Sequence, residues 1–177
     1  MPDRSFERVT GSSTRTLHTL SVLVENKPGV LFNVANMFRR RGFNIDSISV
    51  GALVEPDLAR MTVVVDADAK ILNQIVEQLS KMVDVVNVKR LDPVRTMMRE
   101  MLLIKVESSD PMAREEALRH VNTYHGLILN IEPDSLIAEV TGEPETIDAF
   151  IELMKPIGIM EISRTGVTAL EKGRLKL

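Results

Sequence analysis

The sequence has no cysteine among its 177 residues. That excludes a disulfide framework, a thiolate nucleophile and any metal site built on thiolates. Aromatic residues make up only 3%, so a core must be aliphatic, drawn from Val, Ile, Leu and ten Met. No apolar run approaches the roughly 18 residues that a membrane span needs. The polar start MPDRSFERVTGSSTRT lacks the apolar segment of a signal peptide. With a net charge of −3, no basic face for nucleic acid is expected. Nor does an H-E-x-x-H, G-x-S-x-G, Walker or dinucleotide fingerprint occur. What is left, 44% hydrophobic and 27% charged, is ordinary for a soluble globular protein, and a cytoplasmic chain is expected.

Residues 1–16 are expected to form a mobile tail. From Leu17 the chain becomes periodic. LHTLSVLVE reads as a strand and GVLFNVANMFRRRG as a helix, with Val30, Leu31, Val34, Ala35 and Phe38 sharing one face. Gly42 stops that helix behind Arg39, Arg40 and Arg41, where positive charge suits the helix dipole. FNIDSISVGAL follows as a strand, with Phe43, Ile45, Ile48 and Val50 as its apolar members, and ARMTVVVDA as another. KILNQIVEQLSKM has the helical stripe Ile71, Ile75, Leu79 and Met82, and VDVVNVKRL closes as a strand. After LDPVRTMMRE the order repeats: MLLIKVE, a helix capped by Asp110 and Pro111, GLILNIE, SLIAEVTG, the helix PETIDAFIELMK and the strand IMEISRTG. Each β-α-β-β-α-β block predicts a ferredoxin-like domain, an antiparallel four-stranded sheet with two helices on one face. The fold class is α+β, with domains at 17–91 and 100–177 and a linker at 92–99. Small sheets with free edges and one uncovered face tend to pair, so an oligomer is expected.

Catalytic chemistry is hard to find. His18 opens a strand. His120 and His125 are five apart across a helix end, which does not put them on one face. Asp66 and Asp68 have the form of a metal pair, yet Asp-Ala-Asp between strand and helix is also a normal turn and N-cap. The arginine run 39–41 is read as a solvated helix end. Met97, Met98 and Met101 are read as core or as a soft protein-binding surface, with core favoured. An independent enzyme is therefore not expected: no catalytic and no metal-binding residue is assigned.

One junction stands apart. In VENKPGVLFNVANMF a strand feeds through Asn26, Lys27, Pro28 and Gly29 straight into a helix. First-turn N–H groups lack intrahelical acceptors, and with the dipole they favour an anion by about 0.3–1 kcal/mol, up to about 2 when partly buried. Gly29 lets a ligand approach the backbone. Asn26 can meet an ammonium or a carboxylate, and Asn44 opens the next strand. The set suits a small zwitterion with an apolar side chain. Asn-x-Pro-Gly is also an ordinary turn.

The stretch HTLSVLVENKPGVLFNVANMFRRRGFNIDSISV resembles the ACT domain of the small, regulatory subunits of acetolactate (acetohydroxyacid) synthase. The likeness continues through LARMTVVV, IVEQLSKMVDVVNV, REMLLIKV, EVTG, IDAFIELM and EISRTGVTAL, about residues 17–173. It implies a non-catalytic subunit, itself without cofactor. Such a subunit activates a catalytic large subunit that holds thiamine diphosphate, FAD and Mg²⁺. It also implies a homodimer through ACT domains, with valine or another branched-chain amino acid bound at that interface as feedback inhibitor. Asn26, Gly29, Val30 and Leu31 would come from one copy, and Asn44 and Ile45 from the other. Backbone N–H groups would take the carboxylate, asparagine oxygens the ammonium and aliphatic groups the side chain. The family often has other residues where this chain has Ala59, Met97 to Met101, and Tyr124-His125-Gly126. Arg164, Thr165 and Gly166 are candidates for an activating surface. The rival function is a free-standing amino-acid sensor that regulates another enzyme or transcription.

Overall fold

The structure, a computed structural model, describes residues 6–9 and 14–174, with side chains from Thr16 onward. By contacts the chain forms two compact units, Met1–Met97 with Val167–Leu177, and Met98–Gly166.

The first unit runs β1 (Phe6–Val9), β2 (Thr14–Glu25), α1 (Val30–Arg41), β3 (Ile45–Ala52), β4 (Leu58–Asp66), α2 (Ala69–Ser80) and β5 (Val85–Arg90). All pairings are antiparallel: β2 is central, with β4 and then β3 on one side and β5 and β1 on the other. Alternation sends Leu20, Val22, Val24, Met61, Val63 and Val65 toward the helices. There they meet Val30, Val34 and Phe38 of α1 and Leu72, Ile75 and Leu79 of α2. Asp68 caps α2 by accepting from the Ile71 N–H at 2.7 Å. Gly42 ends α1 in the left-handed region, φ 68°, as helix termination needs.

Three expectations change here. The mobile tail does not hold for its described residues. Phe6–Val9 pair with β2 in the register Phe6↔Leu17 to Val9↔Thr14, because β5 covers that edge of β2 only from Leu20 to Val24 and an uncovered edge accepts another strand. The other tail residues, 1–5 and 10–13, lie outside the described residues. On α1, Leu31 and Ala35 are exposed and Met37 packs on the core instead, since the helix is seated along the i, i+4, i+8 line of Val30, Val34 and Phe38. On β3, the register shifts between Ile45 and Ser47. The extra residue puts Ile45 and Ile48 on the core side, while Val50 is 48% exposed.

The second unit contains β6 (Thr96–Glu107) from Met98 onward, α3 (Pro111–Thr123), β7 (Leu127–Ile131), β8 (Ser135–Gly142), α4 (Pro144–Met154) and β9 (Ile159–Arg164). Its sheet runs β9-β6-β8-β7, again antiparallel. Leu102, Ile104, Val106, Leu136, Ala138 and Val140 face Ala117, Val121, Ile147, Phe150 and Met154. Asp110 caps α3 through the Ala113 N–H at 2.9 Å, with Pro111 opening the helix. Both units are thus ferredoxin-like βαββαβ folds, and an additional strand, β1, flanks the first. Met97 is 42% exposed, so it is not a core residue; Met98 and Met101 are half-buried.

A last strand, β10 (Thr168–Glu171), belongs with the first unit. Val167 and Ala169 are buried. The Ser49 hydroxyl on β3 donates to Val167 O at 2.7 Å, the Lys89 ammonium pairs with the Glu171 carboxylate, and Lys172 N donates to Arg95 O at 2.8 Å.

Candidate ligand-binding site at the first strand-to-helix junction

The 26–31 loop is held by backbone bonds before any ligand is considered. Asn26 N donates to Asp57 O at 2.7 Å, and its side-chain Nδ2 donates to Pro56 O at 2.9 Å. The second bond fixes the amide, leaving Oδ1 as the acceptor. Lys27 Nζ lies 2.7 Å from Glu25 Oε2, and that hydrogen bond raises the Lys27 pKa above the ordinary lysine value.

Gly29 stands at the N-cap of α1 with φ 88°, ψ −13°, a conformation natural to glycine and strained for most L residues. A Cβ there would meet nothing within 4 Å, so the space above the backbone is open. Helix α1 has no side-chain cap bond and no acidic residue in its first turn. Val30 N reaches Lys27 O only at 3.4 Å, and the Leu31 and Phe32 N–H groups have no backbone acceptor among the described residues. The helix start is therefore a set of free donors with dipole support and, among the described residues, no side chain that caps them. Val30, 3% exposed, anchors the loop in the core. Leu31 and Phe32, 47% and 70% exposed, present apolar surface beside the donors. The exposure of Phe32 was hidden in the sequence, because its place in the helical pattern is compatible with either a half-buried or an outward side chain.

Asn44 and Ile45 lie elsewhere in the same chain. Glu25 is level with Leu58 on β4, whereas Ile45 is level with Val65. Seven residues of strand separate the two levels, roughly 24 Å at the antiparallel rise. One chain thus brings Asn26, Gly29, Val30 and Leu31 together but leaves Asn44 and Ile45 at the other end of the sheet. Asn44 is exposed, and β3 borders only β4, which leaves its outer edge uncovered among the described strands.

Other candidate residues have partners within the chain. Asp66 Oδ1 accepts from Thr16 N at 3.1 Å and Asp68 caps α2, and no group of three or more metal-ligating side chains occurs among the described residues. His18 is buried, with Nδ1 3.2 Å from Arg90 Nη2; His120 lies 3.6 Å from Glu116 on the same helix. Arg164 is occupied internally: its Nε donates to Glu100 Oε2 at 2.6 Å, Nη1 to Asp148 Oδ1 at 2.6 Å and Nη2 to Pro144 O at 3.3 Å. No helix among the described residues is long and apolar enough to cross a membrane.

Comparison with known proteins decides the family. Residues 20–87 match the family described as an AHAS small subunit-like ACT domain, and residues 99–173 the family described as the small subunit of acetolactate synthase. A probable acetolactate synthase small subunit of Methanothermobacter thermautotrophicus is 46% identical over 156 residues, 88% of this chain and 93% of that one. The chain belongs to the acetolactate synthase small-subunit family. The acetolactate synthase small subunit of Mycolicibacterium smegmatis is 41% identical over 156 residues, covering 88% of this chain and 91% of its own. The crystal structure of the small subunit from Thermotoga maritima superposes with a TM-score of 0.83 at 40% identity, over 90% of this chain and 99% of that chain. Membership extends to both units, and the first is an ACT domain.

Proposed function

We propose that this chain is the regulatory partner of a thiamine-dependent acetolactate synthase large subunit. It activates that subunit and carries its feedback inhibition by valine or another branched-chain amino acid. Thiamine diphosphate, FAD and Mg²⁺ then belong to the large subunit, this chain is non-catalytic, and the complex works in the cytoplasm. The observation that carries the ligand site is the donor-rich start of α1, open above Gly29 and flanked by exposed Leu31. A zwitterion places its carboxylate on the Gly29, Val30 and Leu31 N–H groups. The side chain lies on Leu31, and burying an isopropyl group is worth about 1.5–3 kcal/mol. Asn44 and Ile45 sit at the far end of the sheet, so they complete the pocket only from a second copy, in a homodimer through the ACT units. Ligand acts by binding one arrangement of the pair more tightly than another.

The test is calorimetry with valine on the wild type, Gly29→Asp and Gly29→Asn. Both variants put an L residue at the same positive φ, and a Cβ there meets no atom; only Asp adds negative charge where the carboxylate sits. Loss of valine binding in Gly29→Asp with retention in Gly29→Asn supports the site. Wild-type affinity in folded Gly29→Asp removes it. Recovery of a large thiamine-dependent subunit by pull-down from native extract supports the partner; a different enzyme or a transcription factor in its place supports the free-standing sensor.

A further inference from the structure

The sheet face of the first unit turned away from α1 and α2 carries a cavity of about 380 Å³. Strand register builds its floor. Ser21 on β2 lies opposite Lys89 on β5, and Leu23 lies opposite Arg60 on β4. Side-chain alternation puts these four on the outer face, since their neighbours Leu20, Val22, Met61 and Val88 pack with the core. Leu53, Leu58 and the exposed Glu55 of the β3–β4 hairpin form one wall; Ala169, Leu170 and Glu171 of β10 form another.

Two polar groups in this lining are unsatisfied. Ser21 is 2% exposed, and its Oγ has no hydrogen-bond partner among the described residues. Arg60 Nε is shielded from solvent and likewise has none. Lys89 differs, because Glu171 already pairs with it. A buried donor without an acceptor is costly and uncommon, and here two occur in one cavity, on residues whose strand positions are diagonal neighbours. An anion that accepts from both removes the cost. A guanidinium matches the planar, two-oxygen geometry of a carboxylate, and leucine walls favour a hydrocarbon next to it.

We propose that this cavity is a second ligand site, for a small aliphatic carboxylate. Its oxygens accept from Arg60 and Ser21 Oγ, and its hydrocarbon lies on Leu23, Leu53 and Leu58. The site shares no residue with the 26–31 loop. Because β10 supplies a wall, an occupant also ties β10 to the sheet.

The test titrates the full chain, methyl-labelled at Leu and Val, with sodium 3-methylbutanoate and separately with inorganic phosphate. Saturable shifts at the Leu23, Leu53 and Leu58 methyls are expected, undiminished by saturating valine. Arg60→Gln should weaken binding by about tenfold or more, as loss of a charge-assisted hydrogen bond does, and Ser21→Ala, which keeps the fold with least change, by several-fold. Unchanged affinity in either folded variant overturns the proposal. So do shifts confined to Val30 and Leu31, or equal affinity for phosphate, which would leave the leucines without a role. Gly29→Asp keeps this site whatever it does to valine, so the two sites fail separately.

Discussion

Arg164→Met tests whether the arginine of the R-T-G turn belongs to the framework or to an activating surface. Glu100 is 3% exposed at its side chain, and Arg164, 23% exposed, reaches it with both Nε and Nη2. Removing the arginine leaves a carboxylate buried without its cation, a change that typically costs about 3–5 kcal/mol. Asp148, 37% exposed, loses a partner that water can replace, so it adds little. The double variant Glu100→Leu/Arg164→Met removes both charges and should recover most of the loss, because an apolar pair of similar volume is often neutral. The chain supplies its own local probe. It has one tyrosine and no tryptophan, and Tyr124 packs on Phe150 at a ring-centroid distance of 5.2 Å inside the second unit. Urea unfolding followed by tyrosine fluorescence therefore reports the unit that contains the pair. A single variant that unfolds at the wild-type urea midpoint refutes the structural assignment. So does a double variant that loses as much as the single one, because the cost would then not come from the orphaned charge.

Phe38→Ala empties the centre of the first core, where Phe38 is 1% exposed and meets Phe43 edge-on at 6.3 Å. A loss of about 3–5 kcal/mol is expected in far-UV circular dichroism, with the Tyr124 transition unmoved. Asp68→Ala removes the α2 cap and should cost about 1 kcal/mol by urea titration, while Mg²⁺ or Ca²⁺ leaves the wild-type midpoint where it is. Gly126→Ala places a Cβ 2.7 Å from Glu139 O and 2.8 Å from Val140 Cγ2; overpacking of about 1–3 kcal/mol should appear in the tyrosine signal.

The alternation of β2 and β4 and the helical stripes of α1 and α2 made the repeated β-α-β-β-α-β order readable, because burial on one face leaves a period in the sequence. The caps at Asp68 and Asp110 were equally local. What escaped has no local signature. Whether α1 is covered along one line of residues or two depends on how it seats on the sheet, and Leu31 looks the same in either case. The bulge after Ile45 shifts the phase of β3 without any glycine to mark it. Glu100 and Arg164 are 64 positions apart, so neither residue's neighbourhood announces the pair. Likewise nothing in T-A-L-E says that this strand packs with a unit whose main segment ends at Met97. At the candidate ligand site, the N-K-P-G junction named the open helix start. The geometry added that Asn44 and Ile45 are on the wrong end of the sheet to join it within one chain.

That separation turns the proposed pocket into a complementation experiment. In a two-fold pair each pocket takes its loop from one copy and its strand start from the other. Gly29→Asp spoils the loop, and Asn44→Ala spoils the strand start, so neither homodimer should bind valine well. When the two variants are mixed and exchange subunits, each heterodimer has one pocket with both defects and one with none. Random exchange makes about half of the dimers mixed, with one intact pocket of two, so about a quarter of the wild-type binding capacity should return at wild-type affinity. A pocket contained in a single chain predicts no recovery at any mixing ratio, because every chain in the mixture carries a defect. The amplitude of the calorimetric titration after exchange distinguishes the two, and a flat titration would exclude the shared site.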